Sequence, residues 1–190
     1  MNRWFSTVGW IVLLIGWSHP GRAAENCVAM KTPPDVPKIT RDVFPGEGFY
    51  PGKRETIGKT TVYDSREGNR RPTASLDSGT TIDVANGLIV VEPPDEVRVT
   101  ARIEKMHLEP GDTILRYAYF GEGQADLWAK GCWYGNSDAG FITEIDGTGC
   151  QGNLCAARVT KNGTKIWWLR IILPDGRTGW SALENFSFAR

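Results

Sequence analysis

Val97-Arg98-Val99-Thr100-Ala101-Arg102-Ile103-Glu104 alternates apolar and polar side chains at every step. A period of two sends successive side chains to opposite faces of an extended chain, so this stretch predicts a strand with one buried and one wet face. Pro110-Gly111 reverses it into a further strand, 113–120. The same pattern extends both ways. Upstream, 60–64 is a short strand candidate, and 80–84 and 88–91 flank Asn86-Gly87, residue types that accept the positive φ of a tight hairpin turn. Downstream, 156–161 and 164–173 flank Asn162-Gly163, a second expected hairpin. Pro174-Asp175-Gly176 then turns the chain into 178–181, and 182–185 suits one short helical turn. No helical stripe follows residue 23. Many short strands, with 22 glycines and 11 prolines to turn between them, predict an all-β sandwich or small barrel.

The N-terminus has a different character. Arg3 precedes an apolar run, 8–17, which Pro20 and Gly21 end. Gly21 and Ala23 supply the small residues of a signal-peptidase site, so 1–23 reads as a secretory signal peptide. The run is too short for a membrane-spanning helix, which needs about 20 apolar residues. The mature chain is therefore expected to start at Ala24, to be periplasmic or secreted, and to have no membrane span. Arg3 and Arg22 leave with the peptide, so 20 basic residues face 22 acidic ones. That balance offers no electrostatic case for nucleic acid or anionic membranes. Residues 24–58, with Pro33, Pro34, Pro37, Pro45 and Pro51, read as an extended N-terminal arm rich in proline and glycine.

Cys27, Cys132, Cys150 and Cys155 all lie beyond the expected cleavage site. An even count in an exported chain predicts two disulfides and no free thiol. Three connectivities are open. The glycine-rich loop 147–153 favours a small ring between Cys150 and Cys155, leaving Cys27 for Cys132. Zinc is the competing reading of Cys150-x4-Cys155, but His107 is the one histidine of the mature chain and no second close cysteine pair exists. No metal and no cofactor are expected.

Trp168-Leu-Arg-Ile171-Ile-Leu173-Pro-Asp175-Gly176-Arg-Thr-Gly179-Trp180 resembles the closing hairpin of the bacterial SH3-like domain. Leu108-Glu-Pro-Gly111-Asp112, and Gly121-Glu122-Gly123 followed by Trp128, are similar to its earlier turn and the segment after it. The resemblance covers 105–190 and implies a small SH3-like barrel there. Two features depart from it: 135–155 is longer than the family's loop and carries two cysteines, and Ser181 stands where the family prefers an aliphatic residue. Val62-Tyr63-Asp64-Ser65 and Leu76-Asp-Ser-Gly79-Thr80 are similar to the family's opening strand and first turn. Residues 59–104 are accordingly expected to form a β-hairpin unit or a degenerate second copy.

Five of the eight tryptophans fall between 128 and 180. Trp167 and Trp168 are adjacent on a strand and must point to opposite faces, so one is expected outside the core that the other fills. Ile171 and Leu173 are assigned to the core. Trp168, Trp180 and Tyr119 are the expected groove, since SH3-like folds read peptides on aromatic surfaces. No catalytic residues are expected. Cysteine nucleophiles need a free thiolate and an imidazole, no serine sits in a nucleophile elbow, and Glu122 between two glycines reads as a solvated turn residue. The expectation is a non-catalytic binding module for cell-wall peptide or an envelope protein. The alternative is a secreted interaction protein that blocks a toxin or hydrolase.

Overall fold

A computed structural model describes residues 26–44, 50–66, 68–150 and 152–186; the expected signal peptide, 1–23, lies outside them. The protein is all-β, as its alternation predicts. Its strands are β1 (Val28–Ala29), β2 (Lys38–Arg41), β3 (Gly52–Glu55), β4 (Thr60–Tyr63), β5 (Pro72–Leu76), β6 (Thr81–Val91), β7 (Asp95–Val99), β8 (Thr113–Gly121), β9 (Gln124–Ala129), β10 (Cys132–Asp138), β11 (Ile142–Thr143), β12 (Ala157–Lys161), β13 (Lys165–Ile172) and β14 (Thr178–Ala182). Short 3₁₀ turns at Glu104–Met106, Gly152–Leu154 and Leu183–Asn185 are the helical elements among the described residues.

The strands form two seven-stranded sheets. The first runs β1-β10-β9-β8-β7-β12-β11, antiparallel except for the β11–β12 pair. The second runs β2-β6-β13-β14-β4-β5, with β3 also paired to β6. Apolar positions gather into three clusters. One side of the first sheet buries Val97, Val99, Ile114, Leu127 and Tyr134 under Met106, Leu108 and Phe141. The second sheet closes Val62, Val84, Leu169, Ile171 and Leu173 against Phe186, so Ile171 and Leu173 are core. Between the sheets, Ile89, Val91 and Trp167 meet Tyr117, Ala118, Trp128 and Trp133.

The strand pairing departs from several expectations. Asn86-Gly87 is not a turn. It lies inside the continuous strand β6, opposite Arg170 and Leu169, at a bulge between Arg170 and Ile171. Gly87 serves close approach instead, because a Cβ there would sit 2.6 Å from the Val43 carbonyl oxygen. Asn162-Gly163 is not a hairpin turn either. β12 belongs to the first sheet and β13 to the second, so this pair carries the chain across. Gly163 passes so near Pro93 that a Cβ would meet its carbonyl oxygen at 2.1 Å, and its N–H donates to Asp95 Oδ1 at 2.8 Å.

The boundary expected at 104/105 does not separate the sheets. β13 and β14 pair with β6 and β4 rather than with the strands of 113–138. Residues 93–163 leave the second sheet after β6 and return to it directly. Glu92 N–H donates to the Thr164 carbonyl at 2.7 Å, and Thr164 N–H to the Pro93 carbonyl at 2.9 Å.

The described residues of the arm add strands to both sheets. β1 pairs with β10, while β2 and β3 pair with β6. Between β1 and β2 its carbonyls satisfy buried aromatic donors: Trp128 Nε1 donates to Met30 O at 3.0 Å and the Tyr117 hydroxyl to Pro34 O at 2.9 Å. The disulfides are Cys27–Cys132, which ties the arm to β10 with Cα atoms 5.2 Å apart, and Cys150–Cys155.

Candidate functional site

The Asp175-Gly176 turn makes the closing hairpin tight. Leu173 N–H donates to Arg177 O at 2.8 Å, and Asp175 Oδ1 accepts the Arg177 N–H at 3.0 Å. Alternation along β13 then sends Leu169 and Ile171 inward and Trp168 and Arg170 outward. In the ladder Trp168 faces Ala182, Arg170 faces Trp180, and Trp180 faces Tyr63 of β4. Paired residues share a face, so Trp168, Trp180 and Tyr63 stand together on the outer side of the second sheet. Tyr63 and Trp168 meet edge to face, with centroids 6.1 Å apart.

The connection between β4 and β5 folds over this face and brings two arginines. The guanidinium carbon of Arg70 lies 5.3 Å from the Tyr63 ring and 5.2 Å from Trp168; that of Arg66 lies 5.4 Å from Trp180. These are cation–π distances. They explain the fate of the tryptophan pair. Trp167 fills the inter-sheet core, and Trp168 points the other way yet is only 4 % exposed, because Tyr63 and Arg70 cover it. Trp180 is half-buried.

A hollow of about 400 Å³ opens beside Trp168. Ile39, Val90, Ile166 and Trp168 line its apolar part; Arg66, Arg70 and Glu92 are its charged groups. A larger hollow, about 630 Å³, lies by the start of β13 among Ile57, Trp167, Leu183 and Phe186. Its cation, Lys165, is already engaged by Asp95, so it offers a ligand fewer directed contacts.

Tyr119 does not join the expected groove. It lies on β8 of the first sheet, where its hydroxyl accepts the Gly123 N–H at 3.2 Å and its ring borders a separate hollow with Arg116, Glu144 and Cys150. Tyr63 takes the place assigned to it. Arg66 and Arg70 were missed in the sequence; their signal was the cluster Arg66, Arg70, Arg71 in the loop after a strand ending in tyrosine. Ser181, where the resemblance leads one to expect an aliphatic residue, is fully buried. Its hydroxyl donates to Thr61 O at 3.0 Å and accepts from Asn185 Nδ2 at 3.2 Å, which satisfies the polar group in place of an aliphatic one.

A second constellation holds the sheets together. Arg116 Nε donates to Asp95 Oδ2 at 2.7 Å, while its other two nitrogens grip Glu144 at 2.5 and 2.8 Å. Asp95 also accepts from Gly163 N–H and Lys165 Nζ. Burial alone would push the Asp95 carboxyl up. The Lys165 hydrogen bond and charge, the Gly163 N–H and the Arg116 charge outweigh it and hold the group below its ordinary value. Every charge here has its partner within the chain, the pattern of a structural clamp. No cluster of metal-ligating side chains occurs among the described residues. Comparison with protein-family models, curated proteins and solved structures finds no match for this chain.

Proposed function

We propose that this chain is an exported, non-catalytic binding module that holds a peptide of the cell envelope on the outer face of its second sheet. The ligand is a cell-wall peptide or an exposed segment of an envelope protein. The observation that carries this reading is the aromatic trio Tyr63, Trp168 and Trp180 under two guanidiniums, beside an open hollow with an apolar patch. Recognition surfaces are enriched in these residue types, because rigid aromatic and arginine groups give large contacts at low entropic cost. Two disulfides fit an oxidising compartment outside the cytoplasm.

The reading includes a revised SH3-like unit. The segments similar to the family's opening strand and first turn, 62–65 and 76–80, and the segment similar to its closing hairpin, 168–180, belong to one sheet. One SH3-like unit, interrupted by 93–163, accounts for both sets of residues without a second copy.

The test is co-sedimentation of the mature protein with purified cell wall, and pull-down of soluble envelope proteins, for wild type and Trp180→Ala. Trp180 is half-buried, so the variant should melt within a few degrees of wild type and lose binding by about 2 kcal/mol or more, as an anchor residue does. A folded variant that binds like wild type would remove this face from consideration. Failure of the wild type to bind any envelope fraction would remove the function.

A further inference from the structure

We infer that the hollow beside Trp168 captures the free C-terminal end of a peptide, its last side chain apolar and its α-carboxylate held by Arg70. This rests on the binding-module reading above and narrows it to one chemical class. The hollow is asymmetric in what it offers. Ile39 of β2, Val90 of β6 and Ile166 of β13 lie side by side in the ladder, since Ile39 and Ile166 both face Val90. With Trp168 they make an apolar patch for one aliphatic side chain. Ile166 is 41 % exposed beside Val90, so the patch is open to solvent.

Arg70 supplies the second half of the recognition. Its guanidinium lies over the Tyr63 and Trp168 rings, and it borders the same hollow. The rings attract the cation by its charge and are poor partners for its five N–H groups, which are left to donate to a ligand. Those donors match the two oxygens of a carboxylate, and the ring contacts hold the guanidinium at the hollow in advance. Arg70 is exposed and makes no ion pair among the described residues. Arg66, over Trp180, lines the hollow with it. Arg41 and Arg170 extend the charge of Arg70 over the same sheet face: Arg41 is opposite Leu88, the ladder partner of Trp168, and Arg170 is two residues along β13 from Trp168.

An apolar pocket with a carboxylate clamp at its side fits a chain end better than a chain middle. An internal residue carries its apolar side chain without an adjacent carboxylate. A terminal aliphatic residue carries both on the same α-carbon. Glu92 stands on the hollow's lining as the acceptor for a backbone amide of the incoming peptide. Wall stem peptides and the C-termini of envelope proteins share this chemistry, and the test separates them.

Calorimetry of the whole mature chain would compare acetyl-Gly-Gly-Ala-Leu as the free acid with its C-terminal amide. The free acid should bind at least tenfold more tightly. Arg70→Gln should bring the two ligands to equal affinity, while Lys130→Gln, in the turn between β9 and β10, should leave the difference intact. The acid-against-amide comparison on wild type does not depend on any variant folding. Equal binding of acid and amide, or binding of neither, would overturn the inference. If the protein still sediments with cell wall in that case, the binding-module reading survives it; if it binds neither wall nor envelope protein, that reading fails as well. Soluble wall tetrapeptide as a competitor in the calorimeter distinguishes the sources. Displacement of the tetrapeptide probe assigns the site to the wall, and no displacement assigns it to protein C-termini.

Discussion

Arg116 and Asp95 form an ion pair at 2.7 Å with both residues less than 7 % exposed, at the place where the chain passes between its sheets. Asp95 is also the acceptor for Lys165 and for the Gly163 N–H, so one carboxylate ties β7, β8 and β13 to the crossover. Removing its charge leaves buried Arg116 and half-buried Lys165 with Glu144 alone to answer them. Asp95→Asn should therefore cost about 3 kcal/mol or more, seen as a fall of roughly 10 °C in melting temperature for a domain of this size. A variant within two degrees of wild type would mean that the cluster is peripheral to stability.

The same carboxylate predicts an acid response. Its folded pKa lies below the unfolded value near 3.9, so its contribution is complete above about pH 4 and is lost as pH falls through the folded pKa. Asp138 has the same sign, because Lys105 and the Gly140 N–H stabilise its charged form. Melting temperature measured from pH 7 to pH 2 should bend downward below about pH 4. The bend should be shallower in Asp95→Asn. An identical acid slope in that variant would assign the loss to other groups.

The two disulfides should be unequal. Cys27–Cys132 spans 105 residues and Cys150–Cys155 only five. Chain-entropy arguments give the long crosslink about 4–5 kcal/mol and the small ring roughly 2. Chemical denaturation of Cys27→Ser/Cys132→Ser should show the larger loss, with Cys150→Ser/Cys155→Ser closer to wild type. The reverse order would mean that the arm holds through its hydrogen bonds and strand pairing alone. Non-reducing peptide mapping should recover both pairs and no free thiol.

Glycine at 163 should be irreplaceable. The atoms a Cβ would meet, Pro93 O and the Pro94 carbonyl group, are all main chain and lie within 2.7 Å, so no side-chain rotation relieves the clash. Gly163→Ala should cost well over the ~1 kcal/mol of an ordinary substitution. Gly58→Ala is the control, since nothing lies within 4 Å of the added carbon. Equal melting temperatures for the two variants would contradict the crossover geometry.

Strands were legible where burial follows alternation: Val97 and Val99 are buried and Arg98 exposed in β7, but the strand expected over 97–104 ends at Val99, Ala101 is exposed, and the chain turns at Glu104–Met106. Of the three connectivities left open, the one that the short glycine-rich loop favoured is the one observed. What failed was long-range pairing. Asn86-Gly87 and Asn162-Gly163 have the composition of hairpin turns, yet tertiary contacts with Val43 and Pro93 claim the small residue in each. A local reading had no means of knowing that β6 waits for β13 across 93–163. The site suffered for the same reason. Trp168 and Trp180 are joined by one turn and were readable as neighbours, whereas Tyr63 and Arg70 reach them only through the β4–β14 pair, a contact remote in sequence.

The return of the chain from Pro93 to Thr164 also sets an order of events. Apart from β1, every strand of the first sheet lies within 95–161, so that sheet holds nearly all its partners in one continuous piece. The second sheet recruits β2 to β6 from before that piece and β13 and β14 from after it. As the polypeptide emerges from its N-terminus, the first sheet can assemble while β6 still shows a bare hydrogen-bonding edge. Closing a long loop costs entropy that nearer contacts do not. The aromatic face is therefore the last surface to exist, and a nascent chain stopped short of residue 165 would be partly folded and without Trp168 and Trp180.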